Sequence, residues 1–215
     1  MNQVIVHGLT ELVEVLIADG YQVIGPTRTG SAIELAELTG ADQLPAGWGV
    51  ETGPGYYRLR RREDDAVFAH SAGPQSWKTF LHPAHRKLWS TDPDGSFQAA
   101  AEATPRYALL GVRGCDLAAI GKLRQVLQLD GSFRSRHQAL FVVAVNCTEP
   151  GEVCFCASMG TGPAAGPGAD LTLTELTDHF VVEAGSDAGL ELLTRIVHRA
   201  ATEDETAGAH TAVEA

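Results

Sequence analysis

Two uninterrupted apolar runs, YALLGV (107–112) and ALFVVAVN (139–146), constrain the fold more than any other feature of this chain. Each has the length of a strand, and neither alternates with polar residues, so each reads as buried on both faces. Between them, DLAAIGKLRQVL carries Leu117, Ile120, Leu123 and Leu127 along one side of a helix, with Asp116 as its expected N-cap. The stretch Gly131 to His137 beyond the helix is polar. Strand, helix and strand in this order form a βαβ unit, with parallel strands joined by a right-handed crossover.

That topology fixes where the cysteines go. Parallel strands end at one edge of a sheet, the edge at which open α/β folds place their ligands. Cys115 comes three residues after the first run, across the tight connection Arg113-Gly114, and Cys147 comes directly after the second. The fold thus brings together two cysteines that are far apart in sequence. The stretch NCTEPGEVCFCASMGTGP (146–163) then adds Cys154 and Cys156, separated by Phe155 alone and too close for a useful disulfide. Gly151, Gly160 and Gly162 allow a close backbone approach and offer free amides to a bound group.

The chain before this unit is read in order. GLTELVEVLIAD (8–19) has helical apolar spacing, with Thr10 as a candidate N-cap and Gly20 as the stop. YQVIGP gives a strand over Tyr21 to Gly25, and a further strand is expected to start at Ala32. Leu44 to Gly55, with two prolines and four glycines, is expected to be irregular. Tyr56 to Arg60 and Ala66 to His70 read as a hairpin around the polar turn Arg62 to Asp65, and the basic run Arg60 to Arg62 reads as a solvated edge. Ser76 to Leu81 begins a helix that Pro83 interrupts, and DPDG (92–95) is a turn. Lys78, His82 and His85 form a polar group, but without an acidic companion they read as surface or packing residues. After the second apolar run, Ala188 to Ala200 reads as helical, and the acidic tail 201–215 reads as disordered. The expected fold is therefore α/β: a mixed sheet with a parallel βαβ core and an N-terminal helix/hairpin region, as one domain over residues 1–200.

The composition narrows the class. The chain has 215 residues, 44% hydrophobic and 20% charged, which is enough for a real core and ordinary for a soluble protein. No apolar run reaches membrane-spanning length, and the N-terminus lacks the basic start of a signal peptide. The expected location is cytoplasmic, where clustered cysteines bind metals or do redox chemistry. A net charge of -11 argues against nucleic acid or an anionic membrane as partner.

Four convergent thiols suit a soft metal or a cluster. Zinc accepts four sulfurs, but its structural sites usually show paired C-x2-4-C knuckles, which this chain lacks. An iron–sulfur cluster also takes four thiolates, with less standardised spacing and a need for amide donors. Ordinary reduced buried cysteines are the third reading, strongest for Cys115 beside a core strand. Dinucleotide binding is disfavoured because GVRGCD lacks the full G-x-G-x-x-G pattern. A thiol nucleophile is disfavoured because no histidine lies near the cysteines in sequence.

GVRGCDLAAI, FVVAVNCTEPGEVCFCASMGTGP and DLTLTEL, with YQVIGP, YRL and PQSWKTFLHP, resemble the N-terminal part of the sulfhydrogenase beta-subunit family. Its members are iron–sulfur electron-transfer subunits of cytosolic nickel–iron hydrogenases, related to the A subunit of anaerobic sulfite reductase. The resemblance runs from Gly20 to about Gly185 and is most specific in 146–163. It implies one [4Fe–4S] cluster on Cys115, Cys147, Cys154 and Cys156; Asp116, next to Cys115 in sequence, is close enough to act as a substitute oxygen ligand. It also implies a redox partner subunit, hydrogenase-like or sulfite-reductase-like. The family's C-terminal ferredoxin-like portion has no counterpart in this sequence, so a truncated or split member is expected, its polar tail a linker. The alternative is a non-redox α/β scaffold subunit with structural zinc or free thiols.

Overall fold

The computed structural model describes residues 3–71, 73, 75–99 and 104–214. Pro74 of the PQSWKTFLHP stretch lies outside them, as do the first two residues and Ala215. In chain order the elements are β1 (Val4–Val6), α1 (Thr10–Ala18), β2 (Gln22–Thr29), β3 (Ala32–Leu38), β4 (Trp48–Gly53) and β5 (Tyr56–Arg61). Then come α2 (Lys78–Leu81), β6 (Trp89–Thr91), β7 (Phe97–Ala99), β8 (Tyr107–Arg113), α3 (Gly114–Val126) and α4 (Gly131–Gln138). The chain continues through β9 (Phe141–Val145), β10 (Leu171–Glu175), β11 (Phe180–Ala184), α5 (Asp187–Leu193), β12 (Arg199–Ala200) and α6 (Glu203–Glu214).

The expected βαβ unit is the centre of a mixed sheet ordered β12-β1-β11-β10-β9-β8-β2-β3. β8 pairs in parallel with β9 on one side and β2 on the other, and β10 adds in parallel to β9. The flanking pairs β2–β3, β10–β11, β1–β11 and β1–β12 are antiparallel. Both faces of the central strands are buried, which is why their sequences run apolar without alternation. Ala108, Leu110, Val143 and Val145 join Leu12, Val13 and Leu16 of α1 in one core layer. Leu109, Val112, Val142 and Ala144 pack with Ile120 of α3 and Phe133 of α4 in the other.

β8 carries one irregularity. Its register with β9 shifts between Leu110 and Val112, and Gly111 sits there with φ +92°. A Cβ at that position would lie 2.9 Å from the Phe68 ring. A bulge of this kind bends the strand and re-aims the residues after it, here Val112 and Arg113.

Several local expectations need correction. Residues 44–55 are not irregular throughout: β4 pairs with β5 through the Pro54-Gly55 turn, where Gly55 has φ +82°. The glycines of β4 masked a strand, and Pro-Gly is a turn signal in its own right. Residues 66–70 therefore do not pair with Tyr56–Arg61. The Val67 and Phe68 amides instead donate to the Glu175 carboxylate at the end of β10, at 2.6 and 2.7 Å. Asp116 is not the N-cap of α3, because the helix starts two residues earlier. The Arg113 amide donates back to Asp116 Oδ2 at 3.4 Å. The polar stretch after α3 is the helix α4, capped by Asp130, which accepts from the Ser132 and Phe133 amides. The 92–95 turn closes the small β6–β7 hairpin.

The C-terminal region also differs from expectation. α5 stops at Leu193, and Arg199–Ala200 joins the sheet edge as β12. The segment expected to be disordered is α6. Thr202 and Glu205 form a reciprocal cap: the Thr202 amide donates to Glu205 Oε2 at 2.9 Å, and the Glu205 amide to Thr202 Oγ1 at 3.3 Å. Ala209 is buried against Ile5 and Val181. The T-x-x-E signature lies in a stretch whose acidic composition suggests disorder.

Candidate cysteine site

The carboxyl edge of β8 and β9 holds the site. β8 passes into α3 with one residue between its last rung and Cys115, so Cys115 stands in the first helical turn. The segment 161–165 crosses directly over that turn. A Cβ on Gly114 would lie 2.5 Å from the Ala164 carbonyl oxygen and 2.9 Å from that of Thr161, so only glycine permits the approach. Two bonds tie the segment to the end of β9. The Ala165 amide donates to Asn146 Oδ1 at 2.8 Å, and the Cys147 amide donates to the Pro163 carbonyl at 3.0 Å. Asn146 is itself fixed, its Nδ2 donating to Thr174 Oγ1 at 2.8 Å.

Cys156 reaches the same place from the other end of the loop. Its carbonyl accepts from the Met159 and Thr161 amides, at 3.1 and 2.9 Å, which folds the chain back. A Cβ on Gly162 would then lie 3.1 Å from Cys156 Sγ and 4.0 Å from the Cys115 amide nitrogen. Cys115 and Cys156 therefore meet across Gly162, with Cys147 anchored to the next residue, Pro163. Cys147 is buried, Cys115 and Cys156 are half-buried, and Cys154 is exposed. The Cys154 amide donates to the Gly151 carbonyl at 3.0 Å, a turn within the loop. Val153, Phe155 and Met159 around it are exposed. Among the described residues, no three histidine, cysteine, aspartate or glutamate side chains are grouped closely enough to hold one metal ion.

The electrostatics separate the thiols. Burial pushes the Cys115 thiol up to about 11, with the Asp116 carboxylate and Cys156 adding to the shift and Arg113 opposing it. The Asp116 carboxyl is also raised by burial, while hydrogen bonds from the Trp77 indole and the Arg113 amide act the other way. The Arg113 side chain is buried behind this turn. Its Nη2 donates to the carbonyls of Phe68 (2.9 Å) and His70, and its Nη1 has no partner among the described residues. His70 is buried beside it, its Nδ1 3.1 Å from the Ser71 carbonyl. Burial, with Arg113, brings the imidazole down to about 3, so it is neutral at physiological pH.

Lys78 and His85 are exposed and His82 is half-buried, and they join no such group. No sequence signal marks the residues that hold the loop from outside. Glu149 pairs with Arg60 and Arg62, nearly ninety positions earlier, and no local motif encodes a pairing of that separation.

Fold and site together define an α/β protein that carries four cysteines on one βα turn and one glycine-rich loop at the carboxyl edge of its sheet. No family model matches the chain, and a search of solved structures finds no match. The chain is a homologue of the sulfhydrogenase 2 subunit beta of Pyrococcus furiosus, 29% identical over 176 residues. The match covers 80% of this chain and 45% of that subunit, so the chain spans less than half the length of its relative. Among the described residues, no helix is long and apolar enough to cross a membrane.

Proposed function

We propose that this chain is an electron-transfer domain that holds one [4Fe–4S] cluster on Cys115, Cys147, Cys154 and Cys156 and serves a redox complex of several subunits. The observation that carries the reading is the meeting of Cys115 and Cys156 across Gly162, with Cys147 tied to Pro163 beside them. Two strand ends and one loop thereby bring thiols from across the sequence to one sheet edge. The relative's name, a hydrogenase beta subunit, supports the electron-transfer role and the expectation of partner subunits.

The donor set suits such a group. Four thiols match a cubane's four iron sites, and a bound cluster would supply one-electron transfer. A cubane sets its irons and sulfides between its thiolates, so its ligands stand farther apart than those around one zinc ion. Cys115 lies in the first turn of α3, whose amides oppose the effect of burial on its thiol without overcoming it. With its thiol held up to about 11, Cys115 binds only with loss of a proton, so loading should weaken as the pH falls. Arg113 stands two residues away with part of its guanidinium unpaired, and its buried positive charge favours a reduced, more negative site. Asp116 is the group to test if a serine at position 115 still supports a full complement of iron.

Anaerobically purified protein is expected to be brown and to bleach on reduction. A variant with alanine at positions 147, 154 and 156 is expected to fold without colour. Colourless wild-type protein from iron-replete cells would favour the second reading, a scaffold subunit with free thiols. That reading draws its support from the raised Cys115 thiol and the open grouping of the side chains.

A further inference from the structure

We infer that the β4–β5 hairpin is a clamp that positions the cysteine loop, with Arg60, Arg62, Thr52 and Ser71 acting through Glu149 and Gly151. The inference rests on the reading of the loop as a ligand-bearing element and assigns positioning residues to it.

The hairpin is a separate two-stranded sheet, not part of the main sheet. It reaches the loop at two points. At the first, both oxygens of Glu149 are taken: Arg60 Nη2 donates to Oε1 at 2.6 Å, and Arg62 Nη1 donates to Oε2. Arg62 is not free to swing away. Asp64 holds it with two parallel bonds, from Nε to Oδ1 at 2.6 Å and from Nη2 to Oδ2 at 2.8 Å. The Arg62 side chain is only 14% exposed, against 47% for Arg60 and 38% for Glu149. An isolated exposed ion pair contributes little, but a pre-oriented guanidinium in a network of four charges fixes direction as well as distance.

The second point is Gly151. A Cβ there would lie 2.8 Å from Thr52 Oγ1 and 3.1 Å from Ser71 Cβ, so the loop backbone is seated against the hairpin and the segment beside it. Ser71 is buried, and neither its hydroxyl nor that of Thr52 has a hydrogen-bond partner among the described residues. The hydroxyls serve here as walls.

These anchors sit between the thiols they serve. Cys147 is tied to Pro163, Glu149 is clamped two residues later, and Gly151 is seated two residues after that. The Gly151 carbonyl then accepts from the Cys154 amide at 3.0 Å. The exposed cysteine, Cys154, therefore takes its position from Arg60, Arg62 and the Gly151 seat. The basic run that reads in sequence as a solvated edge is the hand of this clamp.

The test is hydrogen–deuterium exchange on the purified protein, with and without bound metal, comparing wild type with Glu149→Gln, Glu149→Asp and Arg60→Gln. Glu149→Gln is expected to raise exchange in residues 148–156 roughly fivefold, the scale of one charge network on a local opening. Exchange in 107–113 and 141–145 should not change. Arg60→Gln should produce a smaller rise, and Glu149→Asp should recover part of the protection. In metal-loaded protein, the electron paramagnetic resonance spectrum of Glu149→Gln should shift from that of wild type. Unchanged loop exchange in Glu149→Gln and Arg60→Gln overturns the clamp. So does a rise spread evenly over the sheet, which would mean general support of the fold. If wild type proves to hold no cluster, the cofactor reading fails, but the exchange data on metal-free protein still decide the clamp.

Discussion

Cys115 and Cys154 are held in opposite ways. Cys115 stands on framework: the β8 ladder, the Gly111 bulge and the first turn of α3 fix its backbone, and the 161–165 segment covers it. Cys154 is exposed on a loop without regular structure, positioned through a local turn at Gly151 and side chains from a distant hairpin. The framework cysteine is placed by topology, because a βα turn after a parallel strand delivers its residue to this edge of the sheet. The loop donor is placed by specific long-range anchors, so it is the more easily displaced.

The largest expected effect sharpens this contrast. Cys154→Ser or Cys156→Ser should lose the bound iron and disorder the loop, whereas Cys115→Ser should leave a labile or three-iron cluster on a folded protein. Iron analysis and electron paramagnetic resonance of the variants measure this. Equal loss in all three would erase the distinction. The next effect tests the framework side alone. Gly114→Ala forces a Cβ against two backbone carbonyls that cannot rotate away, and should cost about 1–3 kcal/mol in urea unfolding.

The buried pair behind the framework cysteine offers a pH test. The folded protein keeps His70 neutral down to about 3, while the unfolded chain takes up a proton near the ordinary histidine value of 6.5. The unfolded state thus binds more protons between these values, and stability should fall as the pH drops from about 6.5 toward about 3. The limiting slope is ~1.4 kcal/mol per pH unit for one proton. His70→Asn should flatten this dependence in urea titrations at pH 6.5, 5.5 and 4.5. The smallest effect sits where framework and loop meet. Gly162→Ala meets the Cys156 side chain, which can shift, and should cost under about 1 kcal/mol. It should nevertheless change the rate at which Cys156 is alkylated in metal-free protein, because the added methyl presses on the Cys156 sulfur.

The central unit is legible in the sequence because its signal is local and strong. YALLGV and ALFVVAVN are buried on both faces, and a parallel βαβ unit of this length has one handedness. The shared edge of Cys115 and Cys147 comes from that alone. The strand Trp48–Gly53 is hidden by its own glycines, and α6 by acidic residues that its Thr202–Glu205 cap turns to use. The grip on the loop is illegible for a different reason. Glu149 meets Arg60 and Arg62 only after the hairpin folds over the sheet edge, and neither partner carries a periodic or spacing signal. Arg113 is the intermediate case: its place beside Cys115 is evident, but its burial against the Phe68 and His70 carbonyls depends on the bulge at Gly111.

The most direct test is the metal and acid-labile sulfide content of wild-type protein made and purified without oxygen from iron-replete cells. The proposed ligation by Cys115, Cys147, Cys154 and Cys156 predicts about four irons and about four sulfides per chain, the content of one cubane. Stoichiometric zinc without iron, or metal-free protein with four titratable thiols, would contradict it.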